Sequence, residues 1–204
     1  MTRRLVVLAS GSGSNLQAII DACADGRLDA VVTKVIVNRR SAFARDRARA
    51  AGIPEEFWPL GPYRDRHDDP RAAREAYDTD LAAAVAAEEP DLVVHAGWMH
   101  LFTDRFLERF PERVVNLHPA LPGEFPGAHA IDDAWAAHEA HGLDRTGVMV
   151  HLVPDEGVDD GPVLATREVP IHADDTRESL EERIHAVEHE LLVDTIARQL
   201  SAAS

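Results

Sequence analysis

Two polar side chains at the end of an apolar run carry the strongest chemical signal in the chain. Residues 114–129 read Val-Val-Asn-Leu-His-Pro-Ala-Leu-Pro-Gly-Glu-Phe-Pro-Gly-Ala-His. The run opens β-branched and apolar, as a buried strand does, and the prolines and glycines that follow end it. Asn116 and His118 sit at that break, two residues apart, so their side chains leave a strand on the same face. An amide that donates to an oxygen, next to an imidazole that moves a proton near neutral pH, suits a reacting carbonyl. The same pair also fits a plain strand end, with His118 as a cap and Asn116 in a turn.

A second signal lies near the start. Residues 5–9 are continuously apolar, Ser10-Gly11-Ser12-Gly13-Ser14-Asn15 follows, and Leu16, Ile19, Ile20 and Cys23 then recur at helical spacing. Strand, glycine loop and helix build an anion site, because the free N–H groups and the dipole of the helix start favour negative charge. We expect a phosphate there; the competing reading is a tight turn capped by Ser14 or Asn15. The third glycine of a dinucleotide fingerprint is replaced by Leu16. The second strand, 31–37, ends in Asn38-Arg39-Arg40 rather than an acidic residue, which keeps an NADP-type site open.

The elements that must position these groups can be read in order. A helix over 43–51 and a short strand over 55–58 precede a polar loop, 61–70, expected to be mobile. A helix over 71–88 carries Ala73, Tyr77, Leu81, Ala84 and Val85 on one stripe. A buried strand, 91–96, leads into the apolar loop Gly97-Trp98-Met99-His100-Leu101-Phe102, at the edge where open α/β sheets bind ligands. Short and longer helices over 104–109 and 131–141 flank the central strand. Strands over 145–154 and 163–171 enclose an acidic loop, 155–162, with no calcium-loop spacing. Asp175 and Glu178 suggest a capping box for the last helix, whose stripe runs Leu180, Ile184, Val187, Leu191, Val193, Ile196, with Glu188 and His189 beside it. Alternating strands and helices predict an α/β fold: one Rossmann-like domain over 1–204, with a mainly parallel twisted sheet and helices on both faces.

Composition narrows the partners. With 36 acidic and 21 basic residues the net charge is −15, which opposes binding to nucleic acid or an anionic membrane surface. One cysteine, Cys23, excludes an internal disulfide, and no Cys/His spacing suggests zinc. The opening apolar run is too short for a signal peptide. The expectation is a cytoplasmic protein, monomeric or homodimeric, without a metal.

Several stretches together resemble the phosphoribosylglycinamide formyltransferase family. They are residues 8–19 (Leu-Ala-Ser-Gly-Ser-Gly-Ser-Asn-Leu-Gln-Ala-Ile), Asn38-Arg39-Arg40-Ser41-Ala42-Phe43, Ala96-Gly97-Trp98-Met99, Asn116-Leu117-His118-Pro119 and Gly157-Val158-Asp159-Asp160-Gly161-Pro162. The resemblance spans nearly the whole chain in the right order. It implies transfer of a formyl group from 10-formyltetrahydrofolate, the co-substrate, to the amine of glycinamide ribonucleotide, without a metal. By position it makes Asn116, His118 and Asp159 catalytic, and Gly13, Ser14 and Asn15 the phosphate loop. It places Arg74, Met99, His100, Leu101, Phe102, Asn116 and Asp155 at the folate, and Glu188 at the ribonucleotide. A carboxylate at Asp159 is expected to raise the pKa of His118.

The chain departs from the family pattern at Leu121-Pro122-Gly123-Glu124, where Leu-Leu-Pro is common, and at His100, where a longer side chain is common. Formyltetrahydrofolate deformylase and methionyl-tRNA formyltransferase share the Asn-x-His-Pro and Asp-x-Gly-Pro pattern. The first is expected to carry an extra N-terminal domain, and the second an extra C-terminal domain and a basic surface. A non-catalytic nucleotide-binding regulator is the alternative from another class.

Overall fold

The computed structural model describes residues 2–202. The chain runs β1 (Arg3–Ala9), α1 (Ser14–Ala24), β2 (Ala30–Val37), α2 (Ala44–Ala50), β3 (Glu55–Phe57), α3 (Gly61–Arg64), α4 (Pro70–Ala86) and β4 (Leu92–His95). It continues α5 (Asp104–Leu107), β5 (Val114–His118), α6 (Ala130–His141), β6 (Arg145–Leu152), β7 (Val163–Pro170) and α7 (Arg177–Ala202). The strands form one sheet in the order β3-β2-β1-β4-β5-β6-β7. The first five are mutually parallel, and β6 and β7 are added antiparallel. Both halves of the sheet grow outward from β1 and β4, so the loops leaving these two strands diverge and open a crevice at their C-terminal ends.

β1 is apolar throughout because both faces of the sheet are covered. Leu5, Val7 and Ala9 face a core that includes Leu16 and Ile19 of α1 and Leu180, Ile184 and Leu191 of α7. Val6 and Leu8 face Tyr77, Leu81 and Val85 of α4, with Phe106 and Phe110. Residues 5–9 have no exposed surface at all, as expected for a central parallel strand. On α4, Ala82 is fully packed where the periodicity pointed to Ala84, which is half-buried.

Two local expectations change. The 61–70 segment contains a helical turn, α3, whose Tyr63 packs edge-on against Tyr77 at 5.3 Å and donates to Asp80 at 2.9 Å. Asp69 then caps α4, accepting from the Arg71 and Ala72 amides ahead of Pro70 at the first helical position. The start of α7 is closed by Thr176 and Ser179, not Asp175 and Glu178. Each of the two donates its amide to the other's hydroxyl, at 3.0 and 3.2 Å. Asp175 is occupied by Arg183, at 2.5 and 2.7 Å.

Candidate active site

A cavity of about 340 Å³ opens at the crevice. Its floor is the end of β5. Asn116 and His118 share a face there, as their spacing requires, and Asp159 reaches in from the loop between β6 and β7. Asn116 Nδ2 donates to Asp159 Oδ1 at 3.0 Å, and His118 Nδ1 lies 3.3 Å from Asp159 Oδ2. The Gly127 amide donates to the same Oδ2 at 2.9 Å. Asp159 adopts φ +54°, a left-handed conformation that Asp tolerates better than most residues. The loop is strapped from its other side by Glu156, which accepts from both Arg71 terminal nitrogens at 2.6 Å and from the Asp104 amide at 3.1 Å.

Burial governs the ionisation of this centre. His118, only 3% exposed, is pulled below the ordinary imidazole value by burial, against the Asp159 carboxylate and the Phe125 carbonyl, which both favour its cation. Asp159 does pull the His118 pKa upward, as expected, but the net shift is downward because desolvation outweighs the single nearby charge. Asp159 is pushed up by burial but pulled further down by its neighbours, the Gly127 N–H and His118 among them. It stays an anion at neutral pH. His118 Nε2 donates to the Phe125 carbonyl at 3.0 Å, and Phe125 sits at φ +45°. That conformation is strained for a bulky residue.

The walls differ in character. One is the N-terminus of α1, where Gly13 at φ +70° starts the helix and accepts its first hydrogen bond from Gln17. The Asn15 side-chain Nδ2 donates to Glu188 Oε2 at 3.1 Å, and His185 Nδ1 bonds the same oxygen at 2.8 Å. That hydrogen bond raises the His185 pKa. The opposite wall is apolar, built from Met99, Leu101 and Val158, all exposed to the cavity mouth. Ser10 holds this wall, its hydroxyl accepting from the Met99 amide at 2.9 Å. The cavity thus joins the N-terminus of a helix to an apolar slot, with an amide, an imidazole and a carboxylate between them.

The sequence profile of the formyl transferase family matches residues 3–196. The chain belongs to the formyl transferase family. Among its relatives, the phosphoribosylglycinamide formyltransferase of Schizosaccharomyces pombe is 47% identical over 201 residues, covering 96% of both chains. The Escherichia coli protein of the same name is 37% identical over 185 residues, 91% of this chain and 81% of that protein. The crystal structure of phosphoribosylglycinamide formyltransferase from Bacillus halodurans superposes with a TM-score of 0.87 at 35% identity, covering 99% of this chain and 97% of that one.

In this family member nearly every residue singled out from the sequence lines the one cavity: Gly13, Ser14, Asn15, the Met99–Phe102 loop, Asn116, His118, Asp155, Asp159 and Glu188. Phe102 does so only at its edge, since it is 3% exposed and stacks on Phe106 at 3.9 Å. Asp155 is turned back, accepting from the Gly157 amide at 2.9 Å. Arg74 stands behind the wall. Its guanidinium bonds Asp78 at 3.3 Å and the Leu101 carbonyl, and it supports the loop from outside the cavity. Arg39 and Arg40 do not line the cavity; Arg40 lies over the Phe57 ring at 4.8 Å. Three histidines escaped the sequence reading: His95, His151 and His185 all line the cavity. The signal for the first two was available, a polar residue interrupting the end of an apolar strand, as at His118. His185 lies three residues before Glu188, on the same helical face.

Proposed function

We propose that this chain transfers the formyl group of 10-formyltetrahydrofolate to the amine of glycinamide ribonucleotide, a step of purine synthesis, in the cytoplasm. The observation that carries the proposal is the network of Asn116, His118 and Asp159 between a helix N-terminus and an apolar slot. The first amides of α1 suit the ribonucleotide phosphate, and Glu188 suits its sugar hydroxyls. The Met99–Phe102 wall and the loop from Asp155 suit a flat pteridine.

The amine attacks the formyl carbon, and negative charge grows on the formyl oxygen. An Asn116 N–H, exchanged from His151 or Asp159, is the donor placed for that oxygen. His118 carries the proton from the attacking amine towards the leaving nitrogen, directly or through water. For this role the Phe125 carbonyl moves aside and the ring proton sits on Nδ1, toward Asp159, so that the Nε2 lone pair takes the amine proton and then hands it to the leaving nitrogen. Asp159 holds the imidazole in place and stabilises its cation. These roles call for no metal and no covalent intermediate.

The test is to mix the protein with 10-formyltetrahydrofolate, with and without glycinamide ribonucleotide, and follow the folate absorbance. Folate product only with the ribonucleotide supports the transferase. Equal formate release without it points to a deformylase, and no reaction points to a binding protein. His118→Ala is expected to lower turnover by about 10²–10⁴-fold, with both dissociation constants little changed. Near-normal turnover in that variant removes His118 from the mechanism.

A further inference from the structure

The Asn116 amide has to present its NH2 group, and not its carbonyl, to a developing oxyanion. Three contacts decide which way it points. Asp159 can only accept, so the nitrogen 3.0 Å from Oδ1 must be Nδ2. His151 Nδ1 faces the Leu152 carbonyl at 2.8 Å, so its proton sits there, and its Nε2 accepts from Asn116 at 3.1 Å. Asn116 Oδ1 is therefore turned the other way, toward His95 Nδ1 at 2.8 Å.

We infer that His95 is a positioning residue of the proposed transfer: its Nδ1–H locks the Asn116 carbonyl and so aims the amide NH2 at the reacting oxygen. The inference rests on the proposed function for its catalytic consequence, but the hydrogen bond itself does not. His95 is 7% exposed, and its Nε2 is buried with no hydrogen-bond partner. A lone pair there is cheaper to bury than an N–H, so the single proton of the neutral ring belongs on Nδ1. Burial pushes its pKa down to about 4, which keeps the ring neutral at working pH. Phe102 at 5.0 Å and Trp98 at 6.4 Å tilt against the ring and fix its plane. His95 thereby ties the amide to the loop that builds the apolar wall.

The test compares His95→Leu, which removes the donor and keeps an apolar side chain, with His95→Asn, which returns an N–H near the Nδ1 position. Loss of one oxyanion donor outright costs about 10²–10³ in kcat, so loss of its aim is expected to lower kcat by about 10- to 100-fold in His95→Leu. Both KM values should stay within about threefold, and His95→Asn should recover most of the rate. An unchanged kcat, or a rise in KM alone, overturns the inference. Nitrogen-15 spectra of the His95 ring in the unliganded wild-type protein supply a readout that needs no turnover and no variant to fold. The Nδ1–H tautomer between pH 6 and 8 supports the inference, and the Nε2–H tautomer overturns it. An inactive wild-type protein would defeat the proposed function, while the ring tautomer would still decide the His95–Asn116 contact.

Discussion

Asp159 meets three demands with one side chain. It accepts from Asn116 and from the Gly127 amide, and it faces the His118 ring. Replacing it by Asn keeps the size and the tolerance for φ near +54°, so the fold should stand. What is lost is the charge that opposes the burial of His118. The His118 pKa, already below the ordinary value, is expected to fall further in Asp159→Asn. Turnover should drop by about 10²–10³-fold, because the proton carrier then loses the partner that stabilises its cation. Titration of the His118 ring by proton NMR checks the first statement, and single-turnover kinetics the second. A His118 midpoint that rises in the variant would show that the carboxylate does not favour the imidazolium.

The loop into α1 shows how one element depends on another. Gly13 is left-handed at φ +70°, and a Cβ there would lie 2.8 Å from the Ala44 Cα of α2. The two elements are already joined by Arg47, whose Nε donates to the Ser12 carbonyl at 2.8 Å. Gly13→Ala should therefore destabilise the protein by about 2 kcal/mol or more, from the left-handed penalty and the displacement of α2. It should also raise the KM for the ribonucleotide while leaving the folate KM close to its original value. Gly11→Ala, where a Cβ meets nothing within 4 Å, should leave stability within about 0.5 kcal/mol. Urea unfolding of the two variants separates these outcomes. Other features of the elements were less visible in the sequence than this glycine. The strand over 114–118 was legible because burial and the two-residue period act along one short stretch. The antiparallel sense of β6 was not, since an apolar strand reads the same in either direction and only the return path through α6 sets it. The capping box slipped by one residue because Asp175 also fits the pattern, but its carboxylate is taken up by Arg183, eight residues on, by the Ser179 hydroxyl and by the His172 amide. His95 escaped because its partner Asn116 lies 21 residues away on the neighbouring strand.

The whole molecule carries net charge −15 and yet buries histidines around its centre, and these two facts act on stability in different pH ranges. Burial pushes His95 from 6.5 down to about 4, and burial with Arg74, Arg64 and Arg39 nearby does the same to His100. His118 is lowered as well. Below pH 6.5 the unfolded chain takes up protons that these folded sites refuse, so stability falls as the pH drops from 6.5 toward 4. For His95, the fall from 6.5 to about 4 corresponds to about 3 kcal/mol. Some groups act in the opposite sense. His185 is raised by its bond to Glu188 and stabilises the fold at acid pH, a contribution lost as the pH rises through its folded value. Asp78, raised by burial, gains a proton on acidification more readily in the folded state. The excess of carboxylates adds little in the upper part of this window, because most of them stay charged until the pH falls well below 5. The melting temperature of the wild-type protein is therefore expected to fall between pH 6.5 and 4.5, and to fall less steeply in His95→Asn, which has no ring to refuse the proton. Calorimetric scans at half-unit steps make the comparison, and because only the slopes are compared, any fixed cost of the substitution drops out. Parallel curves for the two proteins would mean that His95 takes up its proton in the fold as readily as in the open chain.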